Sequence, residues 1–318
     1  MTMTMRTAGI HHITAFVSDA QRNVDFYAGV LGLRLVKKTI NFDAPEVYHL
    51  YFGNEMGSPG TAITFFPWAG SRRGRIGGGQ VGYTVYAVPT GSFDFWQERL
   101  RKLNISFALV ERFGETYIRF ADWDGLGIEL VEREPGAMSK WSFGGVPADK
   151  AIKGFGGAVL NSIAPDKTGH LLEHVMGLER VAEEGELVRF RSTGDIGNVI
   201  DLNRTAMGWG IGGAGTVHHI AWRAKDEADH WAWREHVLGS GYRVTPVIDR
   251  QYFNAVYFRE EGGILFEIAS DTPGFDHDEP FEALGEKLML PSWLEERRDD
   301  VVRGLPPIEV RVLEGDTI

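Results

Sequence analysis

Two histidine pairs open two short apolar segments of similar pattern, Ile10–Val17 (IHHITAFV) and Val217–Ala224 (VHHIAWRA). Side chains of a strand alternate between faces, so His12, Thr14 and Phe16 share one face and His11, Ile13 and Ala15 the other. His219 stands in the second segment where His12 stands in the first. A carboxylate, Glu267, is isolated in a third apolar run, Ile264–Ser270 (ILFEIAS), on a face with Leu265 and Ala269. Burying a carboxylate is costly unless something neutralises it, and a divalent cation held with two imidazoles does so. Two neutral histidines and one carboxylate, with open positions left on the metal, suit non-haem Fe(II) and its oxygen chemistry. Mn(II) suits the same donors. A lone buried histidine is usually a hydrogen-bonded core residue; duplication of the pair at equivalent places is what points to a metal.

Several neighbours bear on that chemistry. Tyr257 lies ten residues before Glu267 in QYFNAVYF, and Arg250 opens that run. A tyrosine near a metal can exchange a proton with an ionising phenol, and an arginine can stabilise the charge that results. Alternatively, Tyr257 caps the sheet and Arg250 pairs with Asp249 or Glu260. His11 and His218 either orient the ligand imidazoles and meet substrate or pack under the helices. His49 (YHLYF) faces either the site or the core. Phe253, Trp222 and Phe266 are pocket-wall candidates that core packing explains equally well. His170, His174, His230, His236 and His277 fall in polar helices or the tail and are expected on the surface.

These residues are positioned by an internal repeat. Four segments read as a first strand: Ile10–Val17, Val81–Val88, Phe155–Ser162 and Val217–Ala224. A helical pattern follows each, at Val24–Leu31, Ser92–Lys102, Gly169–Met176 and Glu227–Leu238. Three helices end at a glycine and an extended run: GLRLVKKT (32–39), GLERVAEE (177–184) and GYRVTPVI (241–248). A glycine there adopts the left-handed conformation that stops a helix; Asn104 takes that place in the second copy. Short apolar strands close each unit, the last being Thr61–Pro67, Gly127–Glu132, Asn198–Arg204 and Ile264–Ser270.

One such unit cannot cover its own apolar face, so units must pair into curved, half-barrel-like sheets. Sequential pairing sets His12 beside Glu129, and His219 with Glu267 against Ala158 and Asp201, so neither half is complete. Pairing the first unit with the fourth collects His12, His219 and Glu267, with Thr64 or a neighbour at the fourth inward position. The second and third units then surround Tyr83, Glu129, Ala158 and Asp201 without a histidine. The expectation is an α+β fold of four βαβββ units. Residues 1–70 and 216–272 form the metal-bearing pair, and 80–134 with 153–206 a structural pair. Residues 273–318 form a tail with one amphipathic helix near Ser292–Val302.

Composition excludes other classes. The 318 residues carry 33 Lys+Arg against 44 Asp+Glu, a net charge of -11, so there is no basic surplus for nucleic acid. The absence of cysteine removes disulfides, thiolate metal sites and a cysteine nucleophile. No stretch reaches the roughly 18 apolar residues of a membrane span, and MTMTMRTAGIHHITAF lacks a signal-peptide core. A soluble, cytoplasmic protein is expected. The glycines at 74–82 and 210–216 are joints between units and not phosphate cradles, and no G-x-S-x-G elbow occurs. The acidic run 183–186 reads as a solvated turn.

Four βαβββ units with HHITAFV opening the first and VHHIAW the fourth resemble the vicinal oxygen chelate superfamily, which includes glyoxalases, extradiol dioxygenases and antibiotic-resistance proteins. More narrowly, IHHITAFVSDAQRNVDFYAGVLGLRLVKKTINFD, YHLYFGNEMGSPGTAITFFP and GTVHHIAW are similar to the hydroquinone-type ring-cleaving dioxygenases. The resemblance runs from about Gly9 to Pro307. It implies a metal triad of His12, His219 and Glu267, with Arg250 and Tyr257 just beyond the ligands. The function it implies is Fe(II)-dependent ring cleavage of a hydroquinone or other dihydroxylated aromatic with O2, with dimerisation a common outcome of the architecture. A glyoxalase-like isomerase or lyase usually carries a fourth protein ligand, often a second Glu, where Thr64 stands here. A non-catalytic binder of the resistance type needs no triad.

Overall fold

The computed structural model describes residues 5–316; the outermost residues of the expected first unit and tail, 1–4 and 317–318, lie outside them. The first unit runs β1 (Ile10–Val17), α1 (Ala20–Val24, continued by a π turn over Asp25–Val30), β2 (Arg34–Asn41), β3 (Ala44–Gly53) and β4 (Ala62–Pro67). The second comprises β5 (Gln80–Val88), α2 (Phe93–Lys102), β6 (Ala108–Arg112), β7 (Glu115–Ala121) and β8 (Gly127–Glu132). The third comprises β9 (Gly154–Asn161), α3 (Pro165–His170, continued by a π turn over Leu171–Val175), β10 (Glu179–Glu184), β11 (Leu187–Arg191) and β12 (Val199–Asn203). The fourth comprises β13 (Thr216–Ala224), α4 (Glu227–Gly239), β14 (Ile248–Asp249), β15 (Phe253–Arg259) and β16 (Leu265–Pro273).

The sixteen strands of the described residues form two eight-stranded sheets, ordered β14-β15-β16-β13-β1-β4-β3-β2 and β10-β11-β12-β9-β5-β8-β7-β6. The first and fourth units therefore share one sheet, and the second and third the other. Each sheet is centred on an antiparallel pair of first strands, β1 with β13 and β5 with β9. Each first strand also pairs in parallel with the closing strand of its own unit. This curls the sheet and gathers four strands at its middle.

Local chemistry sets the helices. Asp19 and Asp226 cap α1 and α4 by accepting from the amides of Arg22 (2.8 Å) and Asp229 (2.9 Å). Gly32, Gly177 and Gly241 take positive φ (69°, 73° and 94°), and Asn104 does the same at 55°. The helices bury Val24, Trp96, Leu171 and Trp233 against one side of the sheets in a continuous apolar core. Trp222 and Phe266 belong to that core, with rings 5.1 Å apart, so they are not pocket walls.

Around α4 the structure departs from expectation. GYRVTPVI forms no ladder strand before Ile248, because Pro246 has no N–H to give; Thr245 alone bonds to the backbone of Tyr257. His230 is fully buried, and its Nε2 donates to the Ile268 carbonyl at 2.9 Å. It lies on the same helical stripe as Trp233 and Val237, so α4 is tied to the strand that carries Glu267.

The tail forms a 3-10 turn (Ser292–Arg297) running into α5 (Arg298–Gly304), where one amphipathic helix was expected. Beyond it, Asp316 pairs with Arg99 at 2.7 Å, and Arg99 also donates to the carbonyls of Gly29 and Val30. The strap thereby joins the first and second units. Among the described residues, no helix is long and apolar enough to cross a membrane.

Candidate metal centre

Both histidine pairs sit on β-bulges. The β1–β13 register slips between Ile10 and His12 on one strand, and between Val217 and His219 on the other. A bulge inserts an extra residue and re-aims its neighbours, here His11 and His218. Each first histidine then reaches the second: His11 Nδ1 lies 2.9 Å from His12 Nδ1, and His218 Nδ1 lies 2.8 Å from His219 Nδ1. With Nδ1 engaged, Nε2 of His12 and of His219 is turned to the middle of the sheet, where they stand 3.3 Å apart.

Glu267 arrives at the same point from β16, which pairs with β13 through Ala221. Its Oε2 is 2.9 Å from His219 Nε2 and 3.5 Å from His12 Nε2. The three ligand atoms lie within 4.8 Å of one another, and no other such group of three occurs among the described residues. All three side chains are buried, yet both oxygens of Glu267 lack a hydrogen-bond donor. The imidazole nitrogens are close but not aligned to donate. Lone pairs converging on one point around an orphaned carboxylate fit a divalent cation, and these donors are of the right type.

Electrostatics agree with that fit. Burial would raise the Glu267 carboxyl, but the imidazoles of His12 and His219 outweigh it and hold it well below the usual range. Burial lowers His219, with Glu267 opposing. Burial and the charge of its neighbour also lower His11 well below its ordinary value, and His218 to about 3. The imidazoles of His11, His218 and His219 are therefore neutral at pH 7, and a neutral imidazole is the form that ligates metal.

A cavity of about 390 Å³ opens over the triad, lined by Phe16, Phe66 and Phe253 among apolar residues and by His49, Tyr51, Tyr257 and Arg250 among polar ones. Tyr257 pairs with Glu267 across β15 and β16, its ring 5.6 Å from that of His219. Burial raises its phenol far above the ordinary value, Glu267 adds to this, and Arg250 opposes it. Arg250 lies in the turn between β14 and β15 and does not open β15. It pairs with neither Asp249 nor Glu260: its Nε is 3.4 Å from the Tyr257 hydroxyl and its Nη1 is 3.2 Å from Asp43.

His49 faces the site. Its Nδ1 lies 2.8 Å from the Tyr51 hydroxyl and its Nε2 2.9 Å from the Thr64 hydroxyl, which bonds to Thr14 (2.7 Å). The fourth inward position thus holds a hydroxyl already committed to neighbours. Sequence reasoning passed over Tyr51 and Asp43. Tyr51 was accessible, two residues beyond His49 on the same face of β3; Asp43 gave no signal, because it meets Arg250 only across the cavity mouth.

The second sheet repeats the plan without imidazoles. Its bulges fall at Gly82 and at Gly156, so Tyr83 and Gly157 stand where His12 and His219 stand. Gly157 replaces Ala158 as the expected equivalent, since Val159 pairs with Asp201 as Ala221 pairs with Glu267. At Gly157 (φ 149°) any side chain would strike the Val199 carbonyl. Glu129 and Asp201 occupy both closing-strand positions, and Arg112 bridges them at 2.7 and 2.6 Å. A guanidinium supplies there the positive charge that a metal would supply in the first sheet.

The glyoxalase/bleomycin resistance protein/dioxygenase superfamily model matches residues 9–130 and 156–268. The chain is 62% identical to MhqO of Bacillus subtilis (strain 168), provisionally named a ring-cleaving dioxygenase, over 98% of this chain and 100% of that one. It is 36% identical to a chlorohydroquinone/hydroquinone 1,2-dioxygenase of Sphingobium indicum, over 95% of this chain and 97% of that one. A crystal structure of a provisionally named dioxygenase from Bacillus subtilis subsp. subtilis str. 168 superposes with a TM-score of 0.96 at 62% identity, covering 97% of this chain and 100% of that one. Matched over both sheets by family, sequence and fold, the chain belongs to the glyoxalase/bleomycin resistance protein/dioxygenase superfamily.

Proposed function

We propose that this protein is a metal-dependent dioxygenase that opens the ring of a hydroquinone or a related dihydroxylated aromatic with O2. The observation that carries the reading is the orphaned Glu267 carboxylate between the imidazoles of His12 and His219 beneath a cavity walled by aromatic rings. The names of the relatives at 62% and 36% identity support the same class of reaction. His12, His219 and Glu267 would hold Fe(II), with Mn(II) the second choice. When bound, the metal supplies a Lewis acid for the phenol and a binding position for O2.

The chain's own residues do the rest. His11 and His218 hold the Nδ1 side of each ligand and so fix which nitrogen faces the metal. Phe16, Phe66 and Phe253 enclose the ring and exclude water. The Tyr257 oxygen is placed to exchange a proton with the substrate hydroxyl, and the Arg250 guanidinium to stabilise the phenolate. Residues 1–70 with 216–272 form the catalytic pair of units, and 80–134 with 153–206 the supporting pair.

The test is oxygen uptake by anaerobically purified protein reconstituted with Fe(II), against a panel of hydroquinones and catechols. Uptake matched by ring-opened product is expected. Bound metal without uptake on any diol would move the assignment to a lyase or isomerase, and failure to bind metal would move it to a small-molecule binder.

A further inference from the structure

The cavity over the metal centre is larger than a bare diol ring needs. Cavities of roughly 300–1,000 Å³ enclose drug-sized ligands. This one holds about 390 Å³, and an unsubstituted dihydroxybenzene underfills it. One side of its mouth is closed. The outermost strands of the first sheet, β2 and β14, lead into turns whose Asp43 and Arg250 meet at 3.2 Å, which joins the two edges of the curled sheet. The other side is formed by the ends of the central strands β1 and β4, where Phe16 pairs with Phe66 and Trp68 follows directly after β4.

A groove of about 460 Å³ continues from that side, lined by Phe16, Trp68, Ala69, Gly212 and Gly213 together with residues 70–72. Phe16 and Trp68 line both spaces, so the groove and the metal cavity share a wall. The Phe16 ring lies 5.0 Å from that of His218 and 6.0 Å from that of Phe66, and Trp68 is 41% exposed. Ser71 and Arg72 are the polar side chains of the lining. The floor is a fixed ribbon made by the two glycine-rich joints. Gly74 donates to the Ala214 carbonyl (2.8 Å), Ala214 to that of Arg72 (3.0 Å), and Arg75 and Ile211 exchange two bonds of 2.8 Å. Gly212 and Gly213 add no side chain there, and a Cβ on Gly212 would meet nothing within 4 Å.

We infer that the diol accepted at the metal centre carries an apolar, aryl-sized substituent, which leaves the cavity over Phe16 and Trp68 and lies in this groove. The inference rests on the reading of the metal cavity as a diol site and adds the substrate class. A second ring is the group that suits the walls, because aromatic rings pack edge-to-face or offset at about 4.5–7 Å and glycine backbone permits close approach.

Anaerobic isothermal titration calorimetry of the Fe(II)-reconstituted full chain, with hydroquinone and separately with phenylhydroquinone, tests the inference by binding alone. Phenylhydroquinone should bind at least about tenfold more tightly, the low end of what one apolar group in a fitted pocket contributes. Gly212→Gln sets a polar side chain in the open groove without a backbone clash, and Trp68→Ala removes the shared wall; each should bring the ratio of the two affinities towards one. Equal affinities in the parent chain would overturn the inference while leaving the diol reading intact. A ratio retained in Gly212→Gln would overturn it as well, since the substituent would then lie within the metal cavity. Binding of neither diol would remove the diol reading and the inference with it.

Discussion

The Nε2 atoms of His12 and His219 approach to 3.3 Å across 207 residues of chain, each turned inward by a histidine one residue earlier that sits on a bulge. Neighbouring positions of a regular strand point to opposite faces. The bulge lets two consecutive histidines touch through Nδ1, so the duplicated HH acts as one donor supported by one partner.

Removing the carboxylate separates metal binding from folding. In Glu267→Gln, metal affinity should fall by more than about 100-fold while the metal-free protein keeps its secondary structure. Elemental analysis after dialysis, with circular dichroism on the same sample, checks this; unchanged metal content would remove Glu267 from the ligand set.

The supporting histidines should act through their partners. His11→Ala or His218→Ala is expected to weaken metal binding or activity by about 10- to 100-fold. Asparagine, whose amide can stand near the lost Nδ1, should restore part of the loss. Metal competition titrations would show it, and wild-type affinity in both alanine variants would reduce these histidines to packing.

Tyr257 and Asp43 should split kinetically. Tyr257→Phe removes the hydroxyl beside Arg250 and should lower kcat by about 10²- to 10⁴-fold, the usual worth of a positioned acid or base. Asp43→Asn breaks an exposed pair worth about 0–1 kcal/mol to stability, so Tm should hold while KM changes through the released Arg250. Steady-state kinetics on both variants decides this; equal effects on kcat and KM would contradict the division.

Stability of the metal-free protein should decline in mild acid. Burial first, then the charge of His12, holds His11 and His49 well below their ordinary value in the folded chain. Unfolded, both take up a proton near pH ~6.5. Above that pH neither state is protonated and they contribute nothing. Below it the unfolded state binds more protons, so each can cost up to about 1.4 kcal/mol per pH unit. Thermal unfolding between pH ~5 and ~8 should show a flat region, then a fall, shallower in His49→Gln. A flat profile throughout would contradict the buried neutral imidazoles.

Arg112 should matter more to folding than any residue of the metal centre. Arg112→Leu leaves Glu129 and Asp201 without the cation between them, at a cost of about 3–5 kcal/mol. Denaturant unfolding measures it, and a loss below about 1 kcal/mol would mean that Arg119 and Arg189 suffice alone.

The sequence by itself determined the four strand–helix–strand units, because alternation, helical spacing and glycine stops act within a few residues of one another. It also marked His12, His219 and Glu267, whose polarity conflicts with the apolar runs around them. Even the pairing of first with fourth unit followed from asking which arrangement completes the donor set.

The tertiary structure decided what depends on a register slip or on a partner far along the chain. Bulges at His11 and His218 let consecutive histidines meet through Nδ1, which a regular strand does not allow and local pattern does not show. His230 is buried because a helix stripe meets β16, not because of its neighbours in sequence. Arg250 meets Asp43 across 207 residues, and Arg112 stands between two carboxylates contributed by different units. Charges of opposite sign find one another in the fold by burial and distance, which only the closed sheets set.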